Sequence, residues 1–125
     1  MFELSVLGYF EAAHRLIEYD GKCENLHGHN YKVKLTIKVD KLDGIDLGID
    51  FGRLKDDLKK VTDLFDHKFL NELSDFGGHN PSAEIIGKVI YEKVKEASQN
   101  DYLVSSVTVW ETDNSSSTYY ETTAQ

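Results

Sequence analysis

An α+β domain, with two helices covering one face of a four-stranded antiparallel sheet, is the fold this sequence predicts, and three observations carry it. Residues Tyr31, Val33, Leu35, Ile37 and Val39 alternate with Lys32, Lys34, Thr36 and Lys38, which is the two-residue period of a half-buried strand. Two later segments repeat their apolar residues at spacings of three and four, the period of amphipathic helices. Strand-like segments stand before and after those helices, so the order is β-β-α-α-β-β, and helices gathered on one sheet face suit that order.

Taken in order, Phe2, Leu4, Val6 and the residues up to Phe10 suggest a first strand, with His14 following it. The alternating segment through Val39 is the second strand, and Lys41 to Gly48 holds the Asp and Gly residues of a turn. Asp50 can cap a helix in which Phe51, Leu54, Leu58, Val61 and Phe65 form one apolar stripe. Gly77-Gly78-His79-Asn80-Pro81-Ser82 breaks the chain, and Ile85, Ile86, Val89, Ile90 and Val94 mark a second helix that either Asn80 or Ser82 could cap. Leu103 to Glu111 is β-branched and alternating, Asp113-Asn114-Ser115-Ser116 reads as a turn, and Ser117 to Thr122 completes a hairpin. A small sheet whose second face is partly apolar is a liability for a monomer, so association between subunits is expected.

At 125 residues and 14.2 kDa the chain suits one domain spanning its whole length, with no boundary, repeat or linker. Lys and Arg number 14 against 22 for Asp and Glu, a formal charge of -8, which opposes attraction to nucleic acid or an anionic membrane. The apolar runs fall far short of the roughly 20 residues that cross a bilayer. A single cysteine forms no internal disulfide, and Met1-Phe2-Glu3-Leu4-Ser5 lacks the basic start and apolar run of a signal peptide. Both point to a cytoplasmic location.

The chemistry concentrates in Cys23-Glu24-Asn25-Leu26-His27-Gly28-His29. In an extended strand residues i and i+2 share a face, so His27 and His29 can meet one ion while Gly28 adds no bulk between them. His14 offers a third imidazole, and three neutral nitrogens with an open fourth position form the pattern of a catalytic zinc site. Cys23 lies in a polar stretch unlike a core strand, and a nearby metal or imidazolium could hold it as thiolate. Asp66-His67 closes the first helix, where the residues alone favour an imidazole beside the helix C-terminal dipole and a solvated acid. Glu111 ends an apolar strand as either an exposed acid or a buried anchor, and a carboxylate can accept two parallel hydrogen bonds from a planar N-C-N edge. His79 reads as a loop residue.

Together, Phe10-Glu11-Ala12-Ala13-His14, Cys23-x-x-x-His27-Gly28-His29-Asn30-Tyr31, Asp50-Phe51, Asp66-His67-x-x-Leu70-Asn71, Asn80-Pro81-Ser82-Ala83-Glu84 and Glu111-Thr112 closely resemble the 6-pyruvoyl-tetrahydropterin synthase and 6-carboxy-tetrahydropterin synthase family. The resemblance spans nearly the whole chain. It implies the tunnelling fold, in which sheets of neighbouring subunits join into a barrel, as a trimer or a hexamer of two trimers with active sites at subunit interfaces. It implies Zn2+ at His14, His27 and His29, with Cys23, Asp66 and His67 as the proton-transfer group and Glu111 with Thr112 gripping a pterin ring.

The substrate so implied is 7,8-dihydroneopterin triphosphate. The three residues between Cys23 and His27 resemble the bacterial 6-carboxy-tetrahydropterin synthase of queuosine biosynthesis, which releases acetaldehyde and triphosphate, whereas animal pyruvoyl synthases resemble a pattern with a longer insertion. Glu24 resembles the acid of a subgroup that cleaves the same substrate to 6-hydroxymethyl-dihydropterin for folate; alternatively it is a solvated loop acid. Ser82 and Ile85 depart from the family's usual threonine and asparagine. Only Arg15 and Arg53 are arginines, so triphosphate contacts lean on lysines such as Lys22. A non-catalytic zinc or pterin-binding module would need His14, His27, His29 and Glu111 but neither Cys23 nor His67.

Overall fold

A computed structural model describes residues 1–17 and 25–122. Strand β1 (Phe2–His14) pairs antiparallel with β2 (His27–Val39), which pairs antiparallel with β4 (Leu103–Thr112), and β5 (Ser115–Tyr119) closes the hairpin at the far edge. Helices α1 (Phe51–Phe65) and α2 (Ala83–Ser98) stand between the two strand pairs in sequence and pack on the sheet. The expected element order is therefore observed with one addition. A fifth strand, β3 (Lys68–Phe69), lies parallel to β1 opposite Ala12 and Ala13, so the sheet is five-stranded and mixed, in the order β3-β1-β2-β4-β5, rather than four-stranded and antiparallel. Two residues are too few to leave a periodic signal in a sequence.

The alternation in β1 and β2 sorts side chains as expected: Val6, Phe10, Ala12, Tyr31, Val33, Leu35 and Ile37 are buried under the helices. Phe10 stacks on Tyr31, ring centroids 4.8 Å apart, and meets Phe65 of α1 at 5.8 Å. Leu54, Leu58, Val61 and Phe65 form the buried stripe of α1, while Phe51 stays half-exposed in its first turn and leaves that stripe. Gly8 lets α1 approach β1 closely, since a Cβ there would stand 2.8 Å from the Leu58 side chain.

The caps follow the local chemistry. Asp50 accepts from the Gly52 N–H at 2.8 Å to start α1, and Ser82 accepts from the Ile85 N–H at 3.2 Å to start α2. Asn80 is thus not the cap. In the turn after β2, the Asp43 carboxylate accepts from the N–H groups of Ile45 and Leu47.

A charged network ties α1 to the end of α2. Asp57, 2% exposed, accepts from Arg53 Nε at 2.9 Å and from the Tyr102 hydroxyl at 2.7 Å, while the Arg53 guanidinium also meets Asp101 and the carbonyls of Ala97 and Ser98. Replacing Asp57 with alanine leaves the Tyr102 hydroxyl and part of Arg53 without their acceptor, and Arg53 is partly hydrated. The expected loss is about 2–3 kcal/mol in urea unfolding at unchanged m-value.

Candidate active site

The ends of β1 and β2 gather the imidazoles. His14, the last residue of β1, sits directly opposite His27, and Ala12 sits opposite His29, so three rings from two adjacent strands share the helix-facing side. His14 is completely buried, whereas His27 and His29 are partly exposed. Glu111 reaches the same place from β4, because the inward alternation of Val107 and Val109 continues to it and a register irregularity at Trp110/Thr112 lies at that end of the strand. The candidate ligand atoms of His14, His27, His29 and Glu111 all lie within 4.8 Å of one another.

The hydrogen bonds behind the rings select the atoms that face the centre. His14 Nδ1 lies 2.7 Å from the Pro81 carbonyl, with the Tyr31 hydroxyl at 3.2 Å, and His27 Nδ1 lies 2.9 Å from the Asn25 carbonyl. A carbonyl only accepts, so each Nδ1 carries the hydrogen and each Nε2 presents a lone pair in the neutral ring. Those two Nε2 atoms are 3.0 Å apart, and Glu111 Oε1 is 3.1 Å from His14 Nε2 and 3.5 Å from His29 Nε2. Lone pairs and a carboxylate at such range repel unless a cation lies among them. A tetrahedral ion with metal–nitrogen distances of about 2.0–2.1 Å sets its ligands roughly 3.3 Å apart, close to this spacing. The residues present therefore fit a divalent metal, with carbonyls fixing the ring tautomers from behind. Burial, and after it the charge of Glu111, raise the Tyr31 hydroxyl above its ordinary range, so it stays protonated beside His14.

Two asparagines hold the chain beyond β1. The Asn71 side chain accepts from the Arg15 N–H at 3.0 Å and donates to the Arg15 carbonyl at 2.8 Å; Asn80 does the same to Ile17 at 2.9 and 2.8 Å. Each amide bonds the backbone N–H and carbonyl of one residue and so fixes the chain at Arg15 and Ile17, just past His14. The sequence reading missed this role, since nothing local to either asparagine signals a partner about 60 positions away.

Asp66 and His67 come together beside β1. His67 adopts the left-handed conformation, φ 57°, that turns the chain from α1 into β3. Its Nδ1 lies 3.1 Å from Asp66 Oδ1, and its N–H donates to the Glu11 carbonyl at 2.6 Å. The ring thus meets two carboxylates, Asp66 and at 3.5 Å Glu11, rather than the terminal carbonyls of α1. Asp66 is a surface acid, 38% exposed, that is nonetheless held by two partners. The Glu11 N–H, donating at 2.9 Å, and then His67 hold its carboxyl below the ordinary aspartate range. A depressed folded-state pKa adds stability above the unfolded value and loses it as pH falls through the folded one. In carbon-13 NMR the Asp66 carboxyl should titrate below an unperturbed aspartate, and the Asp66–His67 pair should persist as the other surface carboxylates protonate.

An open pocket of about 500 Å³ beside His67 is lined also by Glu11, Gly28, His29, Asn30 and Phe69; His14, His27 and Glu111 are not part of its lining. Ala13 and Gly28, paired across β1 and β2, are small enough to leave this opening. Thr112 is exposed, and its hydroxyl accepts from the Asn114 N–H at 3.3 Å in the hairpin turn. Cys23 and Glu24, like Lys22, lie outside the described residues. His79 stays apart from the cluster, as expected of a loop residue.

Comparison with known proteins converges on one family. Residues 3–122 match the family model described as 6-pyruvoyl tetrahydropterin synthase. A 6-carboxy-5,6,7,8-tetrahydropterin synthase of Haemophilus influenzae is 34% identical, covering 97% of this chain and 100% of that protein, and the protein of the same name from Synechocystis is 36% identical over 89% of this chain and 87% of its own. The solved structure of Caenorhabditis elegans 6-pyruvoyl tetrahydropterin synthase superposes with a TM-score of 0.85 at 27% identity, covering 97% of this chain and 96% of that one. With two helices against a strand-paired sheet and a histidine cluster at its end, the chain belongs to the 6-pyruvoyl tetrahydropterin synthase family.

Proposed function

We propose that this protein is a zinc-dependent 6-carboxy-5,6,7,8-tetrahydropterin synthase, acting as a single domain on 7,8-dihydroneopterin triphosphate and releasing acetaldehyde and triphosphate with uptake of water. The observation that carries the reading is the convergence of His14, His27, His29 and Glu111 in a chain whose curated relatives bear that enzyme's name. Among the described residues no helix is long and apolar enough to cross a membrane.

His14, His27 and His29 would hold the metal, which when bound supplies Lewis-acid polarisation of the substrate's side-chain hydroxyls. Glu111, with Thr112 beside it, accepts the N-C-N edge of the pterin ring once substrate draws its carboxylate from the histidines. Cys23, as thiolate, moves a side-chain proton, and His67, oriented by Asp66, serves as the partner acid or base. Exposed Leu7 and Tyr9 on the outer sheet face, and a β1 edge that β3 covers only at Ala12 and Ala13, support association into a trimer or a hexamer of two trimers. In such an assembly His67 of one subunit can serve Cys23 of the next.

Glu24, adjacent to Cys23, favours a second reading, cleavage to 6-hydroxymethyl-7,8-dihydropterin. Incubating metal-loaded protein with 7,8-dihydroneopterin triphosphate and identifying the pterin products by mass spectrometry separates them. Carboxy-tetrahydropterin is expected from the native chain and from Glu24→Ala. Hydroxymethyl-dihydropterin that disappears in Glu24→Ala would move the assignment, and no turnover with intact pterin binding would make the chain a binding module.

A further inference from the structure

The geometry points to Glu11 as a positioning residue for His67, a role that rests on the reading of this site as a pterin-synthase active site. Glu11 meets the Asp66–His67 pair through three groups. Its N–H donates to Asp66 Oδ1 at 2.9 Å, its carbonyl accepts from the His67 N–H at 2.6 Å, and its Oε2 lies 3.5 Å from His67 Nε2. Since Asp66 Oδ1 is 3.1 Å from Nδ1, the imidazole is bracketed by a carboxylate at each nitrogen.

The strand makes this arrangement unavoidable. Phe10 and Ala12 are buried beneath the helices, so the intervening Glu11 must point to the other face, where it lies opposite Asn30 and lines the same 500 Å³ pocket as His29 and His67. Glu11 and His67 also line an adjoining pocket of about 520 Å³ with Tyr9 and Asn30. Their side chains are 63% and 74% exposed, and ion pairs so exposed add little to stability. What the carboxylate contributes is orientation. Asp66 accepts from Nδ1–H, and when the ring is protonated Glu11 stands where it can accept from Nε2–H, so the two carboxylates together limit rotation of the ring beside the pocket. The proton that Nε2 exchanges passes between His67 and substrate, and Glu11 ends each cycle with the charge it began with.

The test uses Glu11→Ala and Glu11→Gln in metal-loaded protein, which keep the backbone contacts to Asp66 and His67. For Glu11→Ala, kcat should fall on the order of 10- to 100-fold with KM within about twofold, because ring orientation is lost and substrate binding is not. Glu11→Gln, whose amide oxygen can still accept from Nε2, should recover much of that rate. Nitrogen-15 NMR of the imidazoles, with His67 assigned from the spectrum of His67→Asn, gives a readout independent of turnover: the His67 ring signals should shift in Glu11→Ala and return toward their native positions in Glu11→Gln. An unchanged His67 spectrum, or an unchanged kcat where the native protein is active, overturns the role. If the native protein turns nothing over, the functional reading fails, and the spectrum alone still decides whether Glu11 orients the ring.

Discussion

Replacing His27 with alanine is expected to strip the site of metal and lower turnover by more than about 10³-fold, with the fold retained. His27 supplies one of the converging Nε2 atoms and sits at the very start of β2, partly exposed, so its removal empties a ligand position without opening the core. His14 is a poorer choice for this measurement. It is fully buried and bonds Pro81 ahead of α2, so His14→Ala mixes a metal effect with lost packing. Elemental analysis of purified His27→Ala beside its far-ultraviolet circular dichroism reads both quantities. Retained metal in the folded variant would remove His27 from the ligand set.

Replacing Cys23 with alanine is expected to cost about 10²- to 10⁴-fold in kcat, the range of a positioned proton transfer, while metal content and pterin affinity stay at native values. Cys23 precedes His27 by four residues in the chain, and a thiolate near a metal or imidazolium titrates low enough to act as base at neutral pH. The expected split is a fall in kcat with little change in KM, because the thiolate's contribution arises in the transition state. Native kcat in Cys23→Ala would take the thiol out of the mechanism and leave His67 as the working base.

How far the site was legible depended on how local its signals are. The two-residue alternation of β2 and the i, i+2 spacing of His27 and His29 are properties of one strand, and both hold in the structure. That His14 joins them follows from register, which places it opposite His27 once β1 runs on through Ala12 and Ala13; the residues alone offered a third imidazole but no position for it. Asp66 and His67 read locally as a helix end, which they are, with Asp66 the C-cap of α1, and only contact with Glu11 of β1 shows what else the pair meets. Phe51 fits the helical period and still escapes burial, because periodicity does not reveal where a helix outruns the sheet beneath it. Strand β3 and the asparagine clamps on Arg15 and Ile17 depend on long-range pairing that no window of sequence contains. The roles proposed for Cys23, His67 and Glu111 come from the family resemblance, because spacing alone leaves them open.

The most direct test of the account is metal removal and return. The native protein should bind one zinc per chain, lose turnover of 7,8-dihydroneopterin triphosphate when a chelator removes the metal, and regain it on adding one equivalent of Zn2+. Undiminished turnover by protein shown by elemental analysis to be metal-free would contradict the claim that His14, His27 and His29 form the catalytic metal centre.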